Sequence, residues 1–151
     1  MKKENIPKDD WGLSDNVSQE LCYATDADGS YTTGLSPGWE AKNIALSQAW
    51  HDIKDALVQT VNEVEEGSVS PLKFYMQFNL MEPFLLASFV GIATWRVKLH
   101  MKPMFYNKMG DKMLSKYATE LGISVDDMKN PNHVPSINVE EAVKQKSGVE
   151  V

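Results

Sequence analysis

Three small or apolar residues at fixed intervals constrain this chain more than anything else in it. Within Leu86-Ala-Ser-Phe-Val-Gly-Ile-Ala-Thr-Trp-Arg-Val-Lys-Leu-His-Met101, Ala87 is small enough to let two helices approach closely. Gly91, four residues on, can take the positive φ that a tight turn demands, and Val97, six further, returns to a core. Leu86 and Ile92 supply apolar volume between the two helices. The segment predicts two short helices joined by a turn, the second running from Ala93 to Met101. Its most apolar stretch, Phe84 to Trp95, has 12 residues, whereas a membrane helix needs about 20, so it reads as buried core rather than a membrane segment.

The residues before this segment set out a second region. Glu20-Leu-Cys-Tyr-Ala-Thr25 and Ser30-Tyr-Thr-Thr-Gly-Leu35 are β-prone runs on either side of Asp26-Ala-Asp-Gly29, which predicts a β-hairpin. Asp26 and Asp28 have the look of a calcium loop, but an EF-hand loop needs further oxygen ligands and a closing Glu, and Tyr31 to Pro37 offers none. Ser36-Pro37 is a helix start and Gly67 a helix stop, so Trp39 to Glu66 is expected to be one long helix. Leu46, Trp50, Ile53, Leu57, Val61 and Val64 recur at three and four residues and form its apolar stripe. That stripe either seats the domain that follows or pairs with a second copy as a short coiled coil, making a homodimer.

Charge is divided unevenly. Residues 1–70 hold 5 Lys+Arg against 13 Asp+Glu, a net −8, and residues 71–130 hold 8 against 5, a net +3. The last stretch, 131–151, adds 2 − 3 = −1, which completes the chain's −6. Arg96, Lys98, Lys102, Lys108, Lys112 and Lys116 face only Asp111 in their own segment, which concentrates positive charge there.

With Cys22 as the one cysteine, neither an intramolecular disulfide nor a cysteine-built metal cluster can form in a monomer, and a reducing cytoplasm fits best. The charged start, with Lys2, Lys3, Glu4, Asp9 and Asp10, has no apolar stretch of the kind an export signal needs. No phosphate-cradling glycine loop, His-Glu-x-x-His pattern or nucleophile elbow occurs, so neither an enzyme nor a cofactor is expected. His51 and His133 have no motif partner and read as structural or exposed. The expected organisation is a flexible arm over 1–18, hairpin and long helix over 19–67, a helical domain over 71–130, and a flexible tail over 131–151 with at most one helical turn after Asn138.

Leu-Ala-x-x-x-Gly-Ile followed by Val-Lys-Leu-His-Met resembles the helix-turn-helix of repressor-type DNA-binding domains. Farther on, Leu114-Ser-Lys-Tyr-Ala-Thr-Glu-Leu-Gly-Ile-Ser-Val-Asp-Asp-Met128 is similar to the closing helix and Leu-Gly-Ile-Ser-x-Asp turn of lambda-repressor-like (XRE-type) domains. With an opening helix over Leu72 to Leu80, the resemblance covers about 60 of the 151 residues. It implies a mainly α fold: a helix-turn-helix-like helical domain preceded by the hairpin and the long helix. It also implies a regulatory protein that binds double-stranded DNA with its second motif helix in the major groove. On matching positions, Thr94, Trp95 and Lys98 would approach bases, Arg96 and Lys102 would meet phosphates, and His100 could do either. Lys108, Lys112 and Lys116, at four-residue spacing on the next helix, would extend the positive surface.

The chain departs from the family pattern in two places. Glu82-Pro83 stands where a polar residue usually anchors on phosphate, and Trp95 and Leu99 replace residues usually polar on the reading face. A second expectation follows, of a protein-protein interaction module that keeps the scaffold but presents Trp95, Leu99, Met101 and Phe105 to a protein partner. Taken singly, Trp95 also reads as a core aromatic and the cations as the solvated face of a helix; their joint occurrence after a turn of this spacing favours a binding surface.

Overall fold

A computed structural model describes residues 2–6, 20–36 and 38–147. The chain is mainly helical, with a two-stranded antiparallel hairpin ahead of one long helix and the shorter ones that follow it. It divides into two compact units. One comprises the residues up to Lys54 together with the segment from Val139, and the other runs from Asp55 to Asn138.

In the first unit, β1 (Glu20–Thr25) pairs with β2 (Tyr31–Ser36) in a register that sets Glu20 opposite Ser36 and Thr25 opposite Tyr31. The turn forms where Asp and Gly predict it. Gly29 sits at φ +84, Asp26 N–H donates to Ser30 O over 2.9 Å, and Asp28 Oδ1 accepts from Ser30 N–H and Ser30 Oγ. Those bonds to its ionised form hold the Asp28 carboxyl below its ordinary pKa. Ahead of the hairpin, Lys3–Asn5 forms a single 3-10 turn, Lys2 bridges to Thr25 in parallel, and Ile6 is buried. Most of the arm expected over 1–18 lies outside the described residues; residues 2–6 lie against the hairpin through these contacts.

The long helix α1 (Glu40–Glu65) begins one residue later than expected and stops before Gly67, which takes φ +71 and lets Ser68 N–H turn back to Glu63 O. From Asp55 onward α1 belongs to the second unit. Leu57 and Thr60 are buried there, Thr60 Oγ1 lies 2.6 Å from Gln77 Oε1, and Glu63 pairs with Lys73. This end of the apolar stripe thus seats the helical domain, the first of its two expected roles.

That domain continues with α2 (Pro71–Phe78), α3 (Pro83–Val90), α4 (Thr94–His100), α5 (Pro103–Tyr106), α6 (Asp111–Leu121) and α7 (Val125–Lys129). Its core is built from Leu72, Phe74, Leu86, Val97, Tyr117 and Met128, with Phe74 set edge-on against Tyr75 and stacked on Phe78. Tyr75 is also buried, and its hydroxyl finds no hydrogen-bond partner among the described residues.

After a 3-10 turn at Val134–Ser136, residues Val139–Ser147 form α8, with Val139 and Val143 buried. The tail expected over 131–151 therefore holds a nine-residue helix. Its apolar positions, four residues apart, bury one side of so short a helix that sequence periodicity alone does not reveal it. Residues 148–151 lie outside the described residues. No helix of the described residues is long and apolar enough to cross a membrane.

Candidate nucleic-acid interface

The turn between α3 and α4 is closed as the Ala87, Gly91 and Val97 spacing requires. Gly91 takes the left-handed conformation, φ 72 and ψ 43, and its N–H and that of Ile92 both donate to Ala87 O. No heavy atom lies within 4 Å of where a Cβ on Gly91 would stand, so glycine is needed for backbone conformation and not for space. Ala87 and Val97 are buried, bringing the two helices together through small and branched side chains.

Position on α4 follows from its inward residue. A helix advances about 100° per residue, so with Val97 fully buried, Trp95 and Leu99 fall near the centre of the opposite face. Arg96 and Lys98 fall on either side of that centre. Trp95, at 63% exposed, and Arg96 and Lys98, both exposed, agree with this placement, whereas Leu99 is half-buried. Thr94 is half-buried beside the turn. Lys102 is exposed in the link to α5.

His100 does not join that surface. Its Nδ1 lies 2.8 Å from the Tyr117 hydroxyl on α6, with the two rings edge to face. Burial, helped by the nearby Arg96 guanidinium, holds the imidazole pKa below its ordinary value, so the ring is neutral at pH 7. It is packed as a strut between α4 and α6, a role the sequence reading of it as a contact at the DNA face did not include. The Tyr117 phenol is in turn pushed up to about 12 by burial.

Lys108 also differs from expectation. It lies in the turn between α5 and α6, because Gly110 is the residue that starts α6 and Asp111 its first helical residue. Lys112 and Lys116 share the exposed side of α6, opposite Leu114, Tyr117, Ala118 and Leu121. Lys116 Nζ reaches Val90 O over 3.4 Å, a cation at the C-terminal end of α3.

Ser70, which sequence reading passed over, helps hold α4 in place. It is fully buried at the start of α2, yet its hydroxyl does not cap that helix. It donates to His100 O over 2.7 Å, and Ser70 N–H donates to Met101 O over 2.8 Å, satisfying carbonyls that the end of α4 leaves open. Ser70-Pro71 reads locally as an ordinary helix start, and nothing in the local pattern indicates a partner thirty residues away.

The electrostatics separate two sets of cations. Of the eight Lys and Arg residues between 71 and 130, Lys73 pairs with Glu63 and Lys129 with Asp111, the latter at 2.7 Å. Arg96, Lys98, Lys102, Lys108, Lys112 and Lys116 form no ion pair with any described residue. Apolar side chains are exposed in the same unit, among them Phe84 at 70% and Phe89 at 54% on α3 and Trp95 at 63% on α4. Among the described residues no group of three His, Cys, Asp or Glu side chains is disposed to hold a metal ion.

Compared with protein families, characterised proteins and solved structures, the chain matches none of them.

Proposed function

We propose that this chain is a cytoplasmic regulatory protein whose helical unit binds double-stranded DNA, with α4 as the helix entering the major groove. The observation that carries the reading is the set of six cations from Arg96 to Lys116 that form no ion pair with a described carboxylate, on and after a helix that exposes Trp95, Arg96 and Lys98. Phosphates would supply the missing partners. The resemblance of Leu86 to Met101 and of Leu114 to Met128 to lambda-repressor-like domains supports the same assignment, and the proposed role involves no catalytic step. Duplex binding is to be measured at low and at moderate salt. For about four phosphate contacts, affinity falls roughly a hundredfold between 50 and 200 mM salt, and Arg96→Glu with Lys98→Glu abolishes it. Absence of binding at low salt, or indifference to that double substitution, overturns the proposal. In this scheme the hairpin and α1 serve dimerisation or sensing, which sedimentation of the full chain tests.

Exposed Phe84, Phe89 and Trp95 favour a second reading, a protein-protein interaction module on the same scaffold. Co-purification from the native host with and without Trp95→Ala decides it. An unchanged partner profile removes that surface as its basis.

A further inference from the structure

Resting on the reading of α4 as a DNA-binding helix, we infer that the chain recognises its site through thymine 5-methyl groups, with Trp95 as the principal reader and Leu99 beside it. The outward centre of α4 is apolar: Trp95 is exposed there, and the half-buried Leu99 is four residues on, on the same side. Arg96 and Lys98 lie to either side of this centre, where they face the two walls of a groove, and neither is held by a carboxylate among the described residues. Cations on both flanks match the charge of the two phosphate strands, which makes a duplex the fitting occupant of this face.

The major-groove code then narrows what the centre can read. Adenine is ordinarily recognised by the paired donor and acceptor of an Asn or Gln side chain, and α4 contains neither. Thr94 is half-buried at the turn, and the His100 ring is committed to Tyr117. The apolar feature that base pairs offer in the major groove is the methyl group of thymine. An A·T pair opposite this helix is therefore distinguishable by that methyl, and guanine remains open to the flanking Arg96 and Lys98.

The test begins with a duplex selected by the full chain from a random pool. Thymines in the selected core are then replaced one at a time by uracil, which keeps every base-edge donor and acceptor and removes the methyl. Each contacted methyl is expected to be worth about a fourfold loss of affinity. Trp95→Ala binds the thymine site more weakly and brings the thymine-to-uracil ratio close to one. The uracil arm alters only the DNA, so it is independent of any effect of substitution on folding. Salt-dependent binding that ignores uracil at every core position overturns the methyl inference and leaves DNA binding standing. Failure to retain any duplex at low salt overturns both.

Discussion

The helical unit uses one chain-reversal device twice, in Ala87-x-x-x-Gly91-Ile92 and again in Ala118-x-x-x-Gly122-Ile123. In each, glycine is left-handed, at φ 72 and φ 68, and the following isoleucine N–H donates to the alanine carbonyl over 3.0 Å. The two differ at the next step. Ser124 caps α7, its hydroxyl accepting from Asp127 N–H, and Asp126 and Asp127 place negative charge in the first turn where the helix dipole favours it. Ala93 offers α4 no side-chain cap, and no acid occupies that first turn. Identical turns therefore lead into one helix whose start is satisfied from within and another left open and cationic. Carboxylates at the start of α4 would repel phosphate, so the missing cap accords with the proposed role at some cost in local stability.

Substitutions can break or sharpen this comparison. The largest effect is expected where the first turn meets the core: Leu86→Ala should destabilise the unit by roughly 2–5 kcal/mol, read from urea unfolding of the full chain, whereas Trp95→Ala should change stability by no more than about 0.5 kcal/mol. A large loss from Trp95→Ala would make that side chain part of the core and remove it from the reading face. Next come the glycines. Gly91→Ala and Gly122→Ala should each cost about 1–2 kcal/mol, the price of a left-handed L-residue, and should cost the same, since nothing lies within 4 Å of either added Cβ. Unequal losses would show that the two turns are not equivalent.

Exchanging the caps comes third. Ser124→Ala should lose about 1 kcal/mol, and Ala93→Ser should gain at most a similar amount. A gain in stability accompanied by unchanged DNA affinity would separate the cap from function. Smallest is the effect of pH. The folded-state pKa of His100 lies below its unfolded value, so its contribution is fully present above about pH 6.5 and is lost as pH falls through and below that point. Urea midpoints at pH 7.5 and 5.5 should differ less in His100→Gln than in the native chain, and an unaltered difference would mean that the strut between α4 and α6 does not titrate.

Local chemistry made much of this fold legible. Asp26 to Gly29 announces the hairpin, Gly67 the end of α1, and Ala87 with Gly91 the turn, because each fixes backbone conformation over a few residues. Legibility failed where elements are short or partners distant. Helix α5 is four residues long, too brief for a period to show, and α8 carries its buried valines in only two turns. At the candidate site, the side chains that α4 sends outward followed from the burial of Val97. The inward turn of His100 did not, because Tyr117 is 17 residues away and histidine at a helix end serves equally as contact or strut.

The Tyr75 hydroxyl has a different consequence. Burial, with the Asp127 carboxylate acting in the same direction, drives its pKa well above the ordinary phenol range, and the oxygen meets no partner among the described residues. A buried hydroxyl with no bond contributes ring volume but little else, and losing it is neutral or favourable. Tyr75→Phe should leave the unit at least as stable as the native chain. The molecule therefore carries unspent tolerance at this position, a background on which otherwise damaging changes elsewhere could accumulate without loss of the fold.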